Sequence, residues 1–409
     1  MEGKIKSIYP ERIWLMPSST TPPVTRLIDI DGLGALFEAL VADGYQVIGP
    51  AVQDGAIVLR ELSSAAELPY GWGVRLEPGG YQLRRRDDTA AFGHAAGPQS
   101  WKRFLHPPRE RLWSATRTAA GFEVAEDGTG GESGAAPRYA FLGVRPCDLR
   151  AIEIQDRVLA QPGSRYAQRR SGAFLIAVNC TEPGETCFCT SMGTGPSAGD
   201  SGYDLALTEL AGADGHRFLI ETGSPRGAEV IGRIPSEAAT DDVVQRARSE
   251  VETAASRMGR HMEAGGLREL MADSHAAARW DDVAARCLTC GNCTMACPTC
   301  FCTTVEDTTD LTGEHAERWE LWDSCFDLDF SYLHGGAVRT SARSRYRQWL
   351  THKLGTWHDQ FGSSGCVGCG RCIVWCPVGI DLTEEVKALR IEQERGTERE
   401  GGAEREEAP

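Results

Sequence analysis

Lysine is scarce in this sequence of 409 residues: it occurs only at positions 4, 6, 102, 353 and 387, and arginine supplies nearly all the positive charge. We read that bias as base composition before function. No apolar run approaches the roughly 20 residues a helix needs to cross a bilayer. No apolar stretch of signal-peptide length follows Met1-Glu-Gly-Lys-Ile-Lys6, so a cytoplasmic chain is expected. The basic excess that phosphate recognition needs is missing too, since the net charge is −15, which argues against nucleic acid as the main partner. No complete G-x-G-x-x-G occurs. In Gly32-Leu-Gly34-Ala-Leu-Phe37 a phenylalanine stands at the third glycine, so no flavin or nicotinamide site is assigned. Walker loop, nucleophile elbow, C-x-x-C-H and paired histidines at i, i+4 are also missing, and no catalytic residue is assigned.

What is present in excess is cysteine. Fifteen thiols in a reducing compartment are not expected to be disulfides, so metal is the first explanation. The composition, 41% hydrophobic and 25% charged, is that of a globular chain able to bury a core without staples.

The spacing of apolar residues predicts a helix over 31–44, capped by Asp31, then strands at 46–48, 57–62, 74–76 and 81–83 with turns at Asp54-Gly55 and Pro78-Gly79-Gly80. Residues 139–144 and 173–178 read as buried strands flanking a helix over 148–159, a parallel unit. Loops are expected at 125–136 and 192–202, and an amphipathic packing helix from 239 to about 262. The expected fold class is α+β. A mixed α/β domain spans 1–235, a helical connector 236–285, and a ferredoxin-like dicluster domain 286–383 with a long insertion at 298–365. An acidic flexible tail, a frayed helix passing into coil, takes 384–409.

Cys287, Cys290, Cys293 and Cys297 precede Pro298, and Cys366, Cys369, Cys372 and Cys376 precede Pro377. Both runs are C-x2-C-x2-C-x3-C-P, the pattern that holds 4Fe-4S cubanes in bacterial ferredoxins. In that pattern the fourth cysteine serves the other cluster. Cluster 1 is then Cys287, Cys290, Cys293 and Cys376, and cluster 2 is Cys366, Cys369, Cys372 and Cys297. The long segment between the runs is the reason this crossing can fail. Zinc is the competing reading, but structural zinc prefers two well-separated pairs of ligands over compact quartets.

A third candidate site is Cys147, Cys180, Cys187 and Cys189. Cys147 and Cys180 each follow a predicted buried strand, and parallel strands end at a common crevice. A helix N-terminus at Cys147 is expected to lower its pKa. The competing reading is buried small hydrophobes. Cys300, Cys302 and Cys325 are read as packing around the clusters, with substitution as ligands the alternative. The basic segment 339–353 is read as a solvated helix face, with docking of an acidic redox partner as the second reading.

Several segments resemble a known family: Phe141-Leu-Gly-Val-Arg-Pro-Cys-Asp-Leu-Arg-Ala-Ile152, Asn179-Cys180 with Thr186-Cys-Phe-Cys-Thr-Ser-Met-Gly193, Cys297-Pro-Thr-Cys-Phe-Cys302, Trp322-Asp-Ser-Cys325, Arg345-Tyr-Arg347 with His352-Lys353, and Ser100-Trp-Lys-Arg-Phe-Leu-His-Pro-Pro108. Together they resemble the beta, iron–sulfur subunit of soluble multimeric nickel–iron hydrogenases of the sulfhydrogenase type. The corresponding subunit of anaerobic sulfite reductase is a close relative. The resemblance implies a non-catalytic electron-transfer subunit. Its partners would be the hydrogenase small and large subunits together with a flavin-containing, NAD(P)H-binding subunit. It implies two 4Fe-4S clusters and strengthens the case for a third. An equivalent wire in a sulfite or sulfur reductase is one alternative. Others are a non-redox protein with structural metal sites and a catalytic centre with an open iron position at 139–193.

Overall fold

The computed structural model describes residues 24–126, 137–212 and 215–406. Its strands include β1 (Thr25–Asp29), β2 (Gln46–Gln53), β3 (Ala56–Glu61), β4 (Trp72–Glu77), β5 (Gly80–Arg85), β6 (Arg109–Thr118), β7 (Gly121–Glu126), β8 (Tyr139–Val144), β9 (Phe174–Val178), β10 (Leu205–Gly212), β11 (Gly215–Thr222), β12 (Glu237–Ala238), β13 (Thr303–Thr309) and β14 (His315–Trp322). Eight form one sheet in the order β12-β1-β11-β10-β9-β8-β2-β3. Its centre, β10-β9-β8-β2, is parallel, as the strand–helix–strand reading expects, and its flanks are antiparallel. A parallel sheet is covered on both faces, so its strands are apolar throughout. Ala140, Leu142, Phe174, Ile176 and Val178 pack on one side with Leu33, Leu36 and Leu40 of the helix Ile30–Ala42. Phe141, Val144, Leu175 and Ala177 pack on the other with Leu149 and Ile152 of the helix Pro146–Leu159.

The fold class is α+β, as expected. Details differ. Asp29, not Asp31, caps the first helix: its backbone is still extended, and its carboxylate accepts from the Gly32 amide at 2.8 Å. The helix expected to reach Met262 is Asp241–Ser256. Beyond it Gly259 lies against the Glu185 backbone and the Arg260 amide donates to the Cys187 carbonyl at 2.9 Å, so the chain leaves the helix to pair with a loop. Met262 is nevertheless buried. The loop expected at 125–136 falls almost wholly outside the described residues, and Ala125 is in β7.

The segment 298–365 supplies β13 and β14 to a four-stranded sheet in the order β13-β14-β6-β7. Two strands thus come from each side of residue 285, and the register Ala316↔Ala115 ties them. The tail, expected as a frayed helix passing into coil, is helical from Leu382 to Glu406. Val386 and Leu389 are buried in it, and the buried Glu385 pairs with Arg279 and Arg286 at 2.6 and 2.7 Å, so its first turns belong to the core. Among the described residues no helix is long and apolar enough to cross a membrane.

Candidate metal centres

The first cysteine run wraps a tight loop. Cys287 ends the helix Arg279–Arg286, and Gly291 opens the turn Asn292–Met295. Thr289 and Gly291 have φ of 52° and 74°. The second run repeats this at equal offsets: Gly368 and Gly370 have φ of 65° and 74°. Left-handed backbone at those two positions turns the amides toward the sulfur. The Thr289 amide donates to Cys287 Sγ at 3.4 Å, and the Gly368 amide to Cys366 Sγ at 3.5 Å. The fourth cysteines are treated alike, with Ile380 N 3.3 Å from Cys376 Sγ and Thr299 N 3.5 Å from Cys297 Sγ.

The long segment between the runs does not hold them apart. Burial pushes the Cys293 thiol well up, and Cys287, Cys376, Cys290 and Cys297 push the same way. Burial does the same to Cys372, whose thiol neighbours are Cys366, Cys369, Cys297 and Cys293. Cys376 thus lies near Cys287 and Cys293 of the first run, and Cys297 lies near Cys366, Cys369 and Cys372 of the second as well as near Cys293. A pocket is lined by Cys287, Cys290, Cys293 and Cys376, with Cys372 of the second run, together with Tyr346 and Trp349. Tyr346 Oη and Trp349 Nε1 are buried there without a partner among the described residues. Two orphan donors in a pocket lined by five thiols fit an anionic, sulfide-bearing group. Among the described residues no three His, Cys, Asp or Glu side chains are set around a single ion. A cubane is held from its corners, so its thiols need not crowd round one atom.

Cys147 follows β8 and Cys180 follows β9. Val144 and Ala177 are register partners, so both thiols leave the same edge of the sheet, each three residues beyond its partner position. Cys187 and Cys189 join them from the loop after β9. Burial raises Cys189, with Cys180 and Cys187 adding to it, and Cys187 is pushed up to about 12, chiefly by burial. Cys147 has Cys189 as a neighbour, and all three feel Cys369 of the second quartet. The expected lowering at Cys147 is corrected: burial outweighs the helix N-terminus and holds the thiol well above its ordinary value. Metal binding would remove those protons.

The second and third quartets meet backbone to backbone. Phe188 N donates to Gly368 O at 2.9 Å, and Thr194 Oγ1 donates to Val367 O at 2.6 Å. Between them Arg371 and Asp148 form a buried two-pronged ion pair at 2.8 and 2.9 Å. Arg145 Nη1 lies 3.9 Å from Cys180 Sγ.

Cys300 touches Cys297, and Cys302 touches Cys325, across the root of the β13–β14 hairpin. The basic segment 339–353 is not uniformly a solvated face: Tyr346, Trp349 and Lys353 are buried. Lys102 is buried too, and its ammonium donates to Cys300 O at 2.9 Å over the Trp322 ring. Sequence reasoning assigns no site role to either lysine. The signal present is scarcity: two of the five lysines converge on residues 297–302.

A 4Fe-4S dicluster domain model matches residues 286–380. The chain is 32% identical over 294 residues to sulfhydrogenase 2 subunit beta of Pyrococcus furiosus, covering 70% of this chain and 81% of that one. No solved structure matches. With both cysteine runs folded as a dicluster and this identity extending well beyond them, the chain belongs to the sulfhydrogenase beta-subunit family.

Proposed function

We propose that this chain is the electron-transfer subunit of a sulfhydrogenase-like complex. It carries electrons through three 4Fe-4S clusters between a nickel–iron hydrogenase module and a flavin-containing, NAD(P)H-binding subunit. The observation that carries the reading is the unbroken succession of three thiol quartets. Cys147, Cys180, Cys187 and Cys189 adjoin Cys366, Cys369, Cys372 and Cys297 through the Phe188–Gly368 hydrogen bond. The latter interlock with Cys287, Cys290, Cys293 and Cys376 by exchange of their fourth members. Cys290 is exposed beside Leu288, so the succession reaches the surface there. When bound, such clusters change by one electron each, which lets a hydride's two electrons leave a flavin singly. The protein's own work is to hold the thiolates at fixed spacing, present amides to the sulfurs and bury the inner two quartets.

The test is anaerobic purification of the full chain with iron and sulfide counted per polypeptide, followed by EPR after dithionite. About twelve iron supports three clusters, and about eight returns Cys147, Cys180, Cys187 and Cys189 to a structural role. Stoichiometric zinc with little iron overturns the proposal. Reduction of the clusters by hydrogen in a co-purified complex would support the hydrogenase partner, and a siroheme partner would replace it.

A further inference from the structure

Lys353 sits in a π-helical turn, His352–Thr356, and is 4% exposed. Its ammonium is 3.2 Å from Cys297 Sγ, 3.0 Å from Thr299 Oγ1 and 3.3 Å from Gly365 O. Those contacts use all three of its protons. Thr299 Oγ1 donates onward to Gly365 O at 2.6 Å, which closes the cage. No carboxylate pairs with Lys353 among the described residues; its electrostatic partners are Cys297, Cys300 and Cys366. A buried ammonium costs several kcal/mol unless an anion compensates it. The two oxygens are neutral, so the compensating charge must come through the sulfur.

Among the described residues no other cation is hydrogen-bonded to a sulfur within 3.5 Å, although Arg371 acts from farther off on Cys147 and Cys187 and Arg345 on Cys287. Cys287 and Cys376 accept from backbone amides. At Cys180 the guanidinium of Arg145 stands farther off, at 3.9 Å. Lys353 therefore favours the middle quartet.

We propose that Lys353 is the potential-setting residue of the middle cluster: its buried ammonium, hydrogen-bonded to Cys297 Sγ, stabilises the reduced state and makes this centre the easiest of the three to reduce. The inference rests on the cluster reading above. One added electron makes a four-thiolate cubane more negative. A fixed positive charge in a medium of low dielectric lowers the energy of that added charge, and an N–H···S bond strengthens with it. An electron entering from either end would then settle in the middle. Lys353 touches a ligand and not the reacting irons, so it is a positioning residue.

The experiment is EPR-monitored redox titration of the full, iron-loaded chain and of Lys353→Met and Lys353→Arg. The middle centre is identified by loss of its signal in Cys366→Ser. In Lys353→Met its midpoint is expected to move negative while the other two stay put, and Lys353→Arg is expected to recover most of the shift. A second readout needs no variant. Wild-type chain grown with 15N-lysine should show a nitrogen hyperfine coupling at the reduced middle centre. An unmoved midpoint in Lys353→Met, or no lysine nitrogen coupling in the wild type, overturns the inference. If Lys353→Met fails to assemble, the 15N result alone decides. A wild-type chain with no clusters sinks the functional reading instead, and iron analysis separates the two.

Discussion

The amide of Phe188 donates to the carbonyl of Gly368 at 2.9 Å, and this bond joins the loop of one thiol quartet to the loop of the next. Such contact needs bare backbone. A Cβ on Gly368 would meet Phe188 O at 2.6 Å and Cys189 N at 2.7 Å, and its φ is 65°.

Gly368→Ala is therefore expected to damage both quartets together. The left-handed backbone alone costs about 1–2 kcal/mol with a Cβ, and the backbone clash adds to it. The measurement is thermal unfolding with iron content. A lower Tm with loss of iron from both centres is expected, whereas a fully loaded variant would mean that the loops are not in close contact.

Asp148 and Arg371 lie at 3% and 2% side-chain exposure, facing each other between Cys147 and Cys369. Asp148→Asn leaves the guanidinium buried without its counter-charge. A loss of about 3–5 kcal/mol is expected, while a paired Asp148→Leu, Arg371→Leu chain is expected to recover part of it. Denaturant unfolding of the wild type, Asp148→Asn and the double variant checks this; a double-variant loss larger than that of Asp148→Asn would show that the unpaired buried guanidinium is not the cause.

Much of this arrangement is legible from residues alone. The two quartets announce themselves by spacing. Cys147 and Cys180 can be placed because 139–144 and 173–178 are apolar enough to read as buried strands, and parallel strands end on one side. The four-stranded sheet is not legible. Arg109–Thr118 and His315–Trp322 carry charged and aromatic residues in close succession and are mostly half-buried, so they show no clean period of two. The helix ending at Ser256 reads as longer than it is because Met258 and Met262 do pack inward, one on Cys189 and one beside Ser191, but from irregular chain. Lys353 lies hidden in a basic run, since sequence shows charge and not whether a neighbour is a sulfur.

Tyr346 Oη is buried without a partner among the described residues and lines the cavity of the surface-reaching quartet. If it remained orphaned in the loaded protein, Tyr346→Phe would stabilise by relieving about 1–3 kcal/mol of desolvation. The cluster reading gives the opposite sign. On that reading the hydroxyl would donate to the bound group, so the substitution is expected to lower the Tm of the loaded chain and to move that centre's midpoint negative. A raised Tm with an unmoved midpoint would refute it.

His94 gives the pH dependence. Burial, with the Arg145 cation next, drops its pKa from 6.5 to about 3. Its Nδ1 faces Ala95 O at 3.0 Å and its Nε2 has no partner among the described residues, so the ring is held neutral. His106, lowered to about 4 by burial and then by Lys102, behaves alike. The folded values lie below the unfolded one, so the unfolded chain takes up protons first. Stability from these rings is complete above about pH 6.5 and is lost as pH falls through the folded values, about 4 for His106 and about 3 for His94. Each ring contributes a slope approaching about 1.4 kcal/mol per pH unit once the unfolded form is protonated. Thermal unfolding between pH 7 and 5 is expected to show a falling Tm in the wild type and a shallower fall in His94→Gln, which cannot take up that proton. Parallel curves would mean that His94 is solvated, and the acid sensitivity would then belong to other groups.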